Sequence, residues 1–318
     1  MSNQTENQIK FIKDTFQQFL SGKLQLQRVT APLFIESGKG INDDLSGNEK
    51  PVSFYVPALG INCEIVQSLA KWKRMKLGEL GLEPGNGIYT DMNAIRPNEI
   101  PDELHSIYVD QWDWEKVITE TNWNNGGLTC FANATAIYDC IKATEYMLNQ
   151  RYPDVKQFLP DMLIPITSEL LGKRYPGLSP KEREYEFCKE MKAVFIGHIG
   201  GPNHDGNRAP DYDDWDKNGD ILIWSPILNA PIEISSMGVR VNAESLHNQL
   251  QYAGKLDWES LQYHSMVLHN RLPLTIGGGI GQSRLCMLLL QKKHIGEVQV
   301  SVWDKSNGLE NNDVHILK

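Results

Sequence analysis

The chain has 318 residues, 41% hydrophobic and 22% charged, the balance of a soluble globular protein with enough length for a large core. Its formal net charge of -9 excludes a sequence-independent grip on nucleic acid and favours small-molecule chemistry. The N-terminus shows no apolar signal core and no apolar run approaches a bilayer span, so a cytoplasmic protein without membrane contact is expected.

Ile9, Ile12, Phe16 and Phe19 recur at three- and four-residue spacing and predict an amphipathic helix over residues 6–20. LQLQRVTAPLFI then alternates apolar and polar residues until Pro32 interrupts the ladder. The loop GINDDLSG, residues 40–47, carries the turn formers Asp43, Asp44, Ser46 and Gly47; Asp43 reads either as a solvated turn residue or as an acid facing a substrate amine. Strands are expected over 52–56 and 63–66. In QSLAKWKR, residues 67–74, Lys71, Lys73 and Arg74 form either a solvated basic face or a source of one pocket lysine for a carboxylate or phosphate.

GIYTDMNAIRPNEIPDELHSIYVDQWDWE, residues 87–115, reads as strand, loop, strand, with Arg96-Pro97 closing the first. Alternation in the second puts Val109, Gln111 and Asp113 on one face and Tyr108, Trp112 and Trp114 on the other. The tryptophans should pack against a helix, leaving Gln111 and Asp113 on a face that is either a ligand floor or ordinary solvent surface. A helix is expected over 130–150 with Ile137, Ile141, Tyr146 and Met147 inward, and Gly126-Gly127 in a loop before it. Ser179-Pro180-Lys181-Glu182 is a capping box opening a helix to about Lys192. VFIGHIGG follows as a buried strand running into glycines.

RAPDYDDW, residues 208–215, and NGDILIWSP, residues 218–226, bring Arg208, Asp211, Asp213, Asp214 and Asp220 close in sequence. PIEISSMGVRV, residues 231–241, then alternates Glu233 and Ser235 against Ile232 and Ile234. Carboxylates on such neighbouring strands make either a solvated acidic face or a magnesium site beside a nucleotide. Asn242 should cap a helix to about Tyr252, a further helix is expected over 258–272, and the polar C-terminal tail is expected at the periphery. Between them TIGGGIGQSRLCMLLL, residues 275–290, runs from glycines into an apolar helix carrying Arg284. Those glycines are either a tight turn before a core helix or a loop that offers amides and a helix N-terminus to a phosphate. Cys63, Cys130, Cys140, Cys188 and Cys286 lack metal-like pair spacing and read as buried free thiols. Strand-rich stretches with helices between them, out of regular alternation, predict an α+β fold: a mainly antiparallel sheet flanked by helices.

The order of these motifs resembles the catalytic domain of class II aminoacyl-tRNA synthetases, and more closely the ammonia-dependent asparagine synthetase (aspartate–ammonia ligase) family that shares that fold. The helix–strand–Pro32 opening is similar to the first class II motif, a dimer element. RPNE with YVDQWDWE resembles the second, GGGIGQSRLCMLLL the third, and EISSMGVR the acidic strand and substrate arginine of aspartyl and asparaginyl synthetases. DDLSG, QSLAKWKR, LHSIYVDQWDWE, RAPDYDDW and GGGIGQSRL together match the ligases. The resemblance covers nearly the whole chain and implies one catalytic domain over 1–318 and a homodimer.

It further implies that Arg96 and Arg284 bind the phosphates of ATP, with Ser106, Val109 and Ser235 near the nucleotide and Asp220 and Glu233 toward its ribose or Mg2+. Ser68, Lys73, Gln111, Asp113, Asp213, Ser236 and Arg240 would form the aspartate pocket, and Asp43 would face incoming ammonia. The implied reaction makes asparagine through a β-aspartyl-adenylate, releasing AMP and pyrophosphate. Ser2 stands where glutamine-dependent enzymes use a cysteine, which favours free ammonia. Val109 departs from the adenine-stacking aromatic of the tRNA synthetases, and residues 122–130 and 215–218 depart from the ligase pattern. Two readings compete: a tRNA-charging enzyme, disfavoured by the acidic charge and the missing anticodon-binding domain, and a catalytically silent nucleotide-binding paralogue, disfavoured by the intact set of Arg96, Asp220, Glu233 and Arg284.

Overall fold

The structure, a computed structural model, describes residues 2–43, 45, 49–200, 209–303 and 314–317. Asp44, Ser46, Gly47 and Arg208, named above as turn formers and as part of a charge cluster, lie outside the described residues. Helix α1 (Ser2–Leu24) extends the expected amphipathic helix at both ends and buries Ile12, Phe16 and Leu20 completely. Pro32 falls between two short strands, β1 (Leu26–Arg28) and β2 (Phe34–Glu36), because a residue without an N–H cannot continue the ladder. Strands β3 (Ser53–Val56) and β4 (Ile61–Ile65) join β2 in a three-stranded antiparallel sheet ordered β2-β4-β3.

The remaining elements follow as α2 (Ala70–Leu80), β5 (Gly87–Ile95), β6 (Tyr108–Val117), α3 (Glu120–Asn124), α4 (Gly126–Arg151), β7 (Ile164–Thr167), α5 (Ser168–Arg174), α6 (Pro180–Met191), β8 (Ala193–Gly197), β9 (Asp213–Ser225), β10 (Ala230–Arg240), α7 (Ala243–Tyr252), α8 (Gln262–Leu268), β11 (Thr275–Gly281) and α9 (Gln282–Leu289). The main sheet is ordered β1-β5-β6-β11-β10-β9-β8-β7. Its two outer pairs, β1 with β5 and β7 with β8, are parallel, and every pairing between them is antiparallel. This is the expected α+β arrangement. The capping box predicted at Ser179 forms, and the cap predicted at Asn242 forms as a reciprocal box with Ser245.

The alternation in β6 divides the molecule. Trp112 and Trp114 are wholly buried on one face, where Phe16 of α1 packs on Trp112 with ring centroids 4.7 Å apart. The same face of the sheet receives Ile137, Tyr138 and Ile141 of α4. The other face is left to polar side chains and becomes the floor of a cleft.

Several local expectations are corrected. Gly126 and Gly127 belong to the first turn of α4 rather than to a loop; a Cβ at Gly126 would collide with the Lys217 side chain, so glycine there lets β9 approach the helix. Tyr146 and Met147 point outward, and Tyr138 and Leu148 take the inward positions. The helix expected over 258–272 is a 3-10 turn (Leu256–Ser260) followed by the short α8. Residues 215–218 run within β9. The C-terminal segment is not wholly peripheral: Gln299 is buried and Leu317 packs into the main core. All five cysteines are buried and free, and burial pushes the thiols of Cys130, Cys140, Cys188 and Cys286 up to about 12, which keeps them protonated. Among the described residues, no helix is long and apolar enough to cross a membrane.

Candidate active site

The glycines of residues 277–281 are neither a turn nor a phosphate loop. They form β11 at the centre of the sheet, paired with β6 on one side and β10 on the other. Their missing side chains make room rather than unusual dihedrals. A Cβ at Gly277 would strike the Glu115 carboxylate, one at Gly278 the Ser236 carbonyl, and one at Gly279 the Gln111 amide. The strand is thus a bare floor into which side chains from β6 lean. Nor is the Ser283 amide at the start of α9 open to an anion. Asp110 accepts from Ser283 N at 3.1 Å and Ser283 Oγ at 2.8 Å, and Lys13 of α1 reaches the same carboxylate at 3.1 Å. A protein carboxylate already complements that helix end.

Over this floor lies a cleft of about 380 Å³, the scale of a small-molecule site. It brings together every residue assigned above by resemblance except Asp220: Asp43, Ser68, Lys73, Arg96, Ser106, Val109, Gln111, Asp113, Asp213, Glu233, Ser235, Ser236, Arg240 and Arg284 all line it. Asp220 sits on β9 opposite Ser236 and outside the lining set. The register of β10 shifts at a bulge between Glu233 and Ser235, where Glu233, Ser235 and Ser236 border the cleft while the Ile234 side chain is buried in the main core.

One end of the cleft is a buried ionic network. Arg240, 2% exposed, donates to both oxygens of Glu115 through Nε (2.9 and 3.2 Å) and through Nη2 (2.7 Å), and pairs with Asp213 through Nη1. Thr275 Oγ1 adds a further hydrogen bond to Glu115 at 2.7 Å. Burial alone would raise the Glu115 pKa, but Arg240, aided by Lys73 and Thr275, outweighs it and holds the carboxylate below its ordinary value; the arginine's own pKa is raised well above normal by the two carboxylates that overcome its burial. Lys73 pairs with Asp113 and donates to the carbonyls of Trp114 (3.0 Å) and Gly278 (3.1 Å). Burial lowers its pKa, with Asp113 and Glu115 opposing. Two buried atoms of the cleft, Asp113 Oδ2 at this end and Ser235 Oγ on β10, lack a partner among the described residues.

Of the two readings of Lys71, Lys73 and Arg74, the solvated basic face is therefore absent, and Lys73 lines the cleft. Lys71, Lys73 and Arg74 are all buried, and Arg74 is spent on structure, donating to the carbonyls of Pro273 (3.0 Å) and Val241 (2.7 Å). At the other end, Arg284 is partly exposed and donates through Nη1 to the Glu233 carbonyl at 3.1 Å. Arg96, past the end of β5, rests on the Gln67 carbonyl at 3.3 Å. Asp43 is 2% exposed. Its Oδ1 accepts from Leu45 N at 2.9 Å and its Oδ2 has no partner among the described residues. Burial pushes the Asp43 pKa up, and Lys71 pulls it back in part.

The chain matches the family profile described as aspartate-ammonia ligase over residues 3–314. It belongs to the aspartate–ammonia ligase family. Proteins named aspartate–ammonia ligase from Clostridium perfringens and Bacteroides thetaiotaomicron are each 50% identical to it, over 99% of this chain and 95% of theirs. Among solved structures, an asparaginyl-tRNA synthetase from Pyrococcus horikoshii complexed with asparaginyl-adenylate aligns at a TM-score of 0.67 and 15% identity, over 92% of this chain and 67% of that one. An aspartyl-tRNA synthetase from Entamoeba histolytica aligns at 0.60 and 15%, over 95% and 58%. The fold is the class II synthetase core, and the chain spans 67% and 58% of these two synthetases' length.

Sequence reasoning missed three cleft features of this ligase-family chain. Glu115 is the base of the Arg240 network, and the alternation that selected Val109, Gln111 and Asp113 reaches it two residues on. His105 is held by Asp102, its Nδ1 2.8 Å from Oδ1, and lines the cleft with Leu104; neither residue has a periodic signal in its loop. Ile295 and Gln299 enter the same wall from the C-terminal segment. For a metal, no group of three or more His, Cys, Asp or Glu side chains converges among the described residues. Among the described residues, Glu233 in the cleft and Asp220 on the neighbouring strand are the pair whose fields both reach Lys181. A one- or two-carboxylate set suits magnesium completed by phosphate oxygens and water.

Proposed function

We infer that the chain catalyses ATP-dependent formation of L-asparagine from L-aspartate and ammonia. The observation that carries this reading is the pairing, in one cleft, of a pre-neutralised ionic pocket with two less enclosed arginines. Aspartate is a zwitterion with one spare carboxylate. The pocket supplies Asp113, Asp213 and Gln111 for its ammonium, and Arg240 and Ser236 for its α-carboxylate; Lys73, whose three N–H groups are engaged by Asp113 and the carbonyls of Trp114 and Gly278, adds positive charge beneath them, with Ser68 beside its helix. The β-carboxylate is then the group left to face Arg96 and Arg284.

A carboxylate is a poor acyl donor, so amidation first needs an oxygen leaving group. One β-carboxylate oxygen attacks the α-phosphorus of ATP, the bond to pyrophosphate breaks, and β-aspartyl-adenylate forms. Arg96 and Arg284 stabilise charge on the phosphoryl oxygens, each worth about 3 kcal/mol by analogy with other preorganised contacts. Ser106, Val109 and Ser235 flank the nucleotide, and Val109 takes the place of a stacking aromatic, so the base is held between aliphatic walls that include Leu104 and Ile295. Glu233 and Asp220 would hold Mg2+, which when bound neutralises phosphate charge. Ammonia then attacks the β-carbonyl carbon and AMP leaves. The homodimer is supported by apolar side chains around the Pro32 segment, where Leu33, Phe34, Tyr55 and Leu59 are exposed.

Incubated with aspartate, ATP, magnesium and ammonium, the chain is expected to release AMP and asparagine in equal amounts, without tRNA and without activity toward glutamine. Product that appears only with tRNA, or none at all, overturns the reading. Asp43 is assigned to ammonium capture and deprotonation. Asp43→Asn should lower ammonium-dependent turnover by about a hundredfold, the scale of a lost general base, while aspartate-dependent exchange of pyrophosphate into ATP continues. Because burial raises the Asp43 pKa, its basic form is lost on acidification at a higher pH than for an exposed aspartate, and the variant should lack that acid limb.

A further inference from the structure

Beyond Asp43 the cleft backs onto a buried ionic chain that the reaction as described leaves unused. Lys71 lies in the first turn of α2, Asp211 in the segment leading into β9, and His264 in α8, and they are 3%, 1% and 0% exposed. Asp211 Oδ2 accepts from Lys71 Nζ at 2.7 Å and from His264 Nε2 at 2.9 Å. Neither Asp211 Oδ1 nor His264 Nδ1 has a partner among the described residues, and the same is true of Asp43 Oδ2 in the cleft wall. Burying three such groups is costly unless the arrangement itself is used. What it accomplishes is a choice of partner. Two buried carboxylates share the field of one ammonium, and that ammonium hydrogen-bonds to the carboxylate that does not line the cleft.

We propose that Asp211 is a positioning residue for the ammonia step: by engaging Lys71, with His264 holding it in place, it keeps one oxygen of Asp43 bare and basic for an incoming ammonium ion. This rests on the assignment of Asp43 to ammonia. The groups facing Asp43 are Lys71 from α2, Arg96 past β5, Asp211, and the Leu45 amide on Oδ1, with Tyr263 and His264 of α8 behind Lys71 and Asp211. Burial raises the pKa of Asp43, Lys71 lowers it and Asp211 raises it again, so the second carboxylate offsets part of the lysine's field. At Asp211 itself burial is outweighed by Lys71 and His264, and the carboxylate stays ionised. Were Lys71 free to turn to Asp43, the acceptor would be covered and its basicity lost.

The chemistry needs that acceptor. Ammonium has no lone pair, so one N–H proton must pass to Asp43 Oδ2 before the nitrogen can attack. The C–N bond forms as the carbonyl π pair moves to oxygen. The intermediate then sheds a second proton to solvent, the C=O bond re-forms, and the bond from carbon to the adenylate oxygen breaks to release AMP. Hydroxylamine is uncharged at neutral pH and brings its own lone pair, so it bypasses the first transfer.

The test is the ratio of ammonium- to hydroxylamine-dependent product formation. In Asp211→Asn the ratio is expected to fall about tenfold at neutral pH and to recover toward wild type as the pH rises and supplies free ammonia, with pyrophosphate exchange within about threefold of wild type. Lys71→Arg, whose wider fork reaches both carboxylates, gives a second route to the same covered Asp43 and should lower the same ratio. A melting curve shows which of the two variants folds. A folded variant with an unchanged ratio and pH profile, or with equal loss toward both nucleophiles, overturns the proposal. Asp43→Asn separates this from failure of the underlying assignment: if it too leaves the ratio unchanged, ammonia does not bind at Asp43.

Discussion

Replacing Arg240 by methionine is expected to abolish aspartate-dependent chemistry and to destabilise the chain by about 3–5 kcal/mol, the usual cost of breaking a buried ion pair from one side. The reason lies in what stays behind. Glu115 is 0% exposed and Asp213 4%, and both rely on the guanidinium. The kcat/KM for aspartate should fall by on the order of a hundredfold or more, since truncating one member of a buried charged pair costs about 2–5 kcal/mol of binding. The pH dependence follows with a definite sign. In the wild type the Glu115 pKa is depressed, so the stability it contributes is present above the ordinary glutamate value and is lost as pH falls through the lower, folded value. In the variant burial has lost its chief opponent, the Glu115 pKa rises, and protonation relieves the unpaired charge. The stability gap between variant and wild type should therefore narrow from about pH 7 to about pH 5. Glu115→Met in the same chain should restore part of the stability and none of the activity. Thermal unfolding across pH, with pyrophosphate exchange alongside, checks each statement; a variant as stable as wild type at neutral pH contradicts the network.

What the sequence discloses and what it hides divide along the reach of each interaction. The polar face of β6 is legible because strand geometry fixes it locally: Val109, Gln111 and Asp113 must share a side whatever packs above them. The capping box at Ser179 and the cap at Asn242 are legible for the same reason. The glycines of β11 misled because glycine permits two different things, unusual dihedrals and close approach, and only the neighbouring strands decide between them. Glu115 and Gln111, which fill the vacated space, are more than 160 residues away in the chain. The sequence could not choose between a solvated and a buried Lys71 because its partner Asp211 is 140 residues distant. The family resemblance supplied the role of Arg240 before any local rule could, since nothing in EISSMGVR shows that this arginine is buried between two carboxylates.

Arg284 is the contrasting arginine, and Arg284→Ala is expected to lower adenylate formation by about a hundredfold, as the loss of one preorganised charge-stabilising donor does, with almost no change in stability. Its side chain is a quarter exposed at 25%, it donates to a backbone carbonyl, and it stands 3.8 Å from the Glu233 carboxylate. Removing it strands no buried charge, and a partly exposed pair of this kind contributes about 0–1 kcal/mol. The helix behind it stays anchored, because Asp110 and Gln299 hold Ser283 independently of Arg284. The loss should appear equally in pyrophosphate exchange and in overall turnover, and hydroxylamine should not rescue it, which distinguishes a defect in phosphoryl chemistry from one at Asp43. The two arginines thus carry different burdens: Arg240 is fixed by protein carboxylates before aspartate arrives, whereas Arg284 keeps charge available for a ligand. A folded Arg284→Ala chain with normal ATP-dependent turnover would move the nucleotide away from this end of the cleft and return residues 275–290 to a purely structural part.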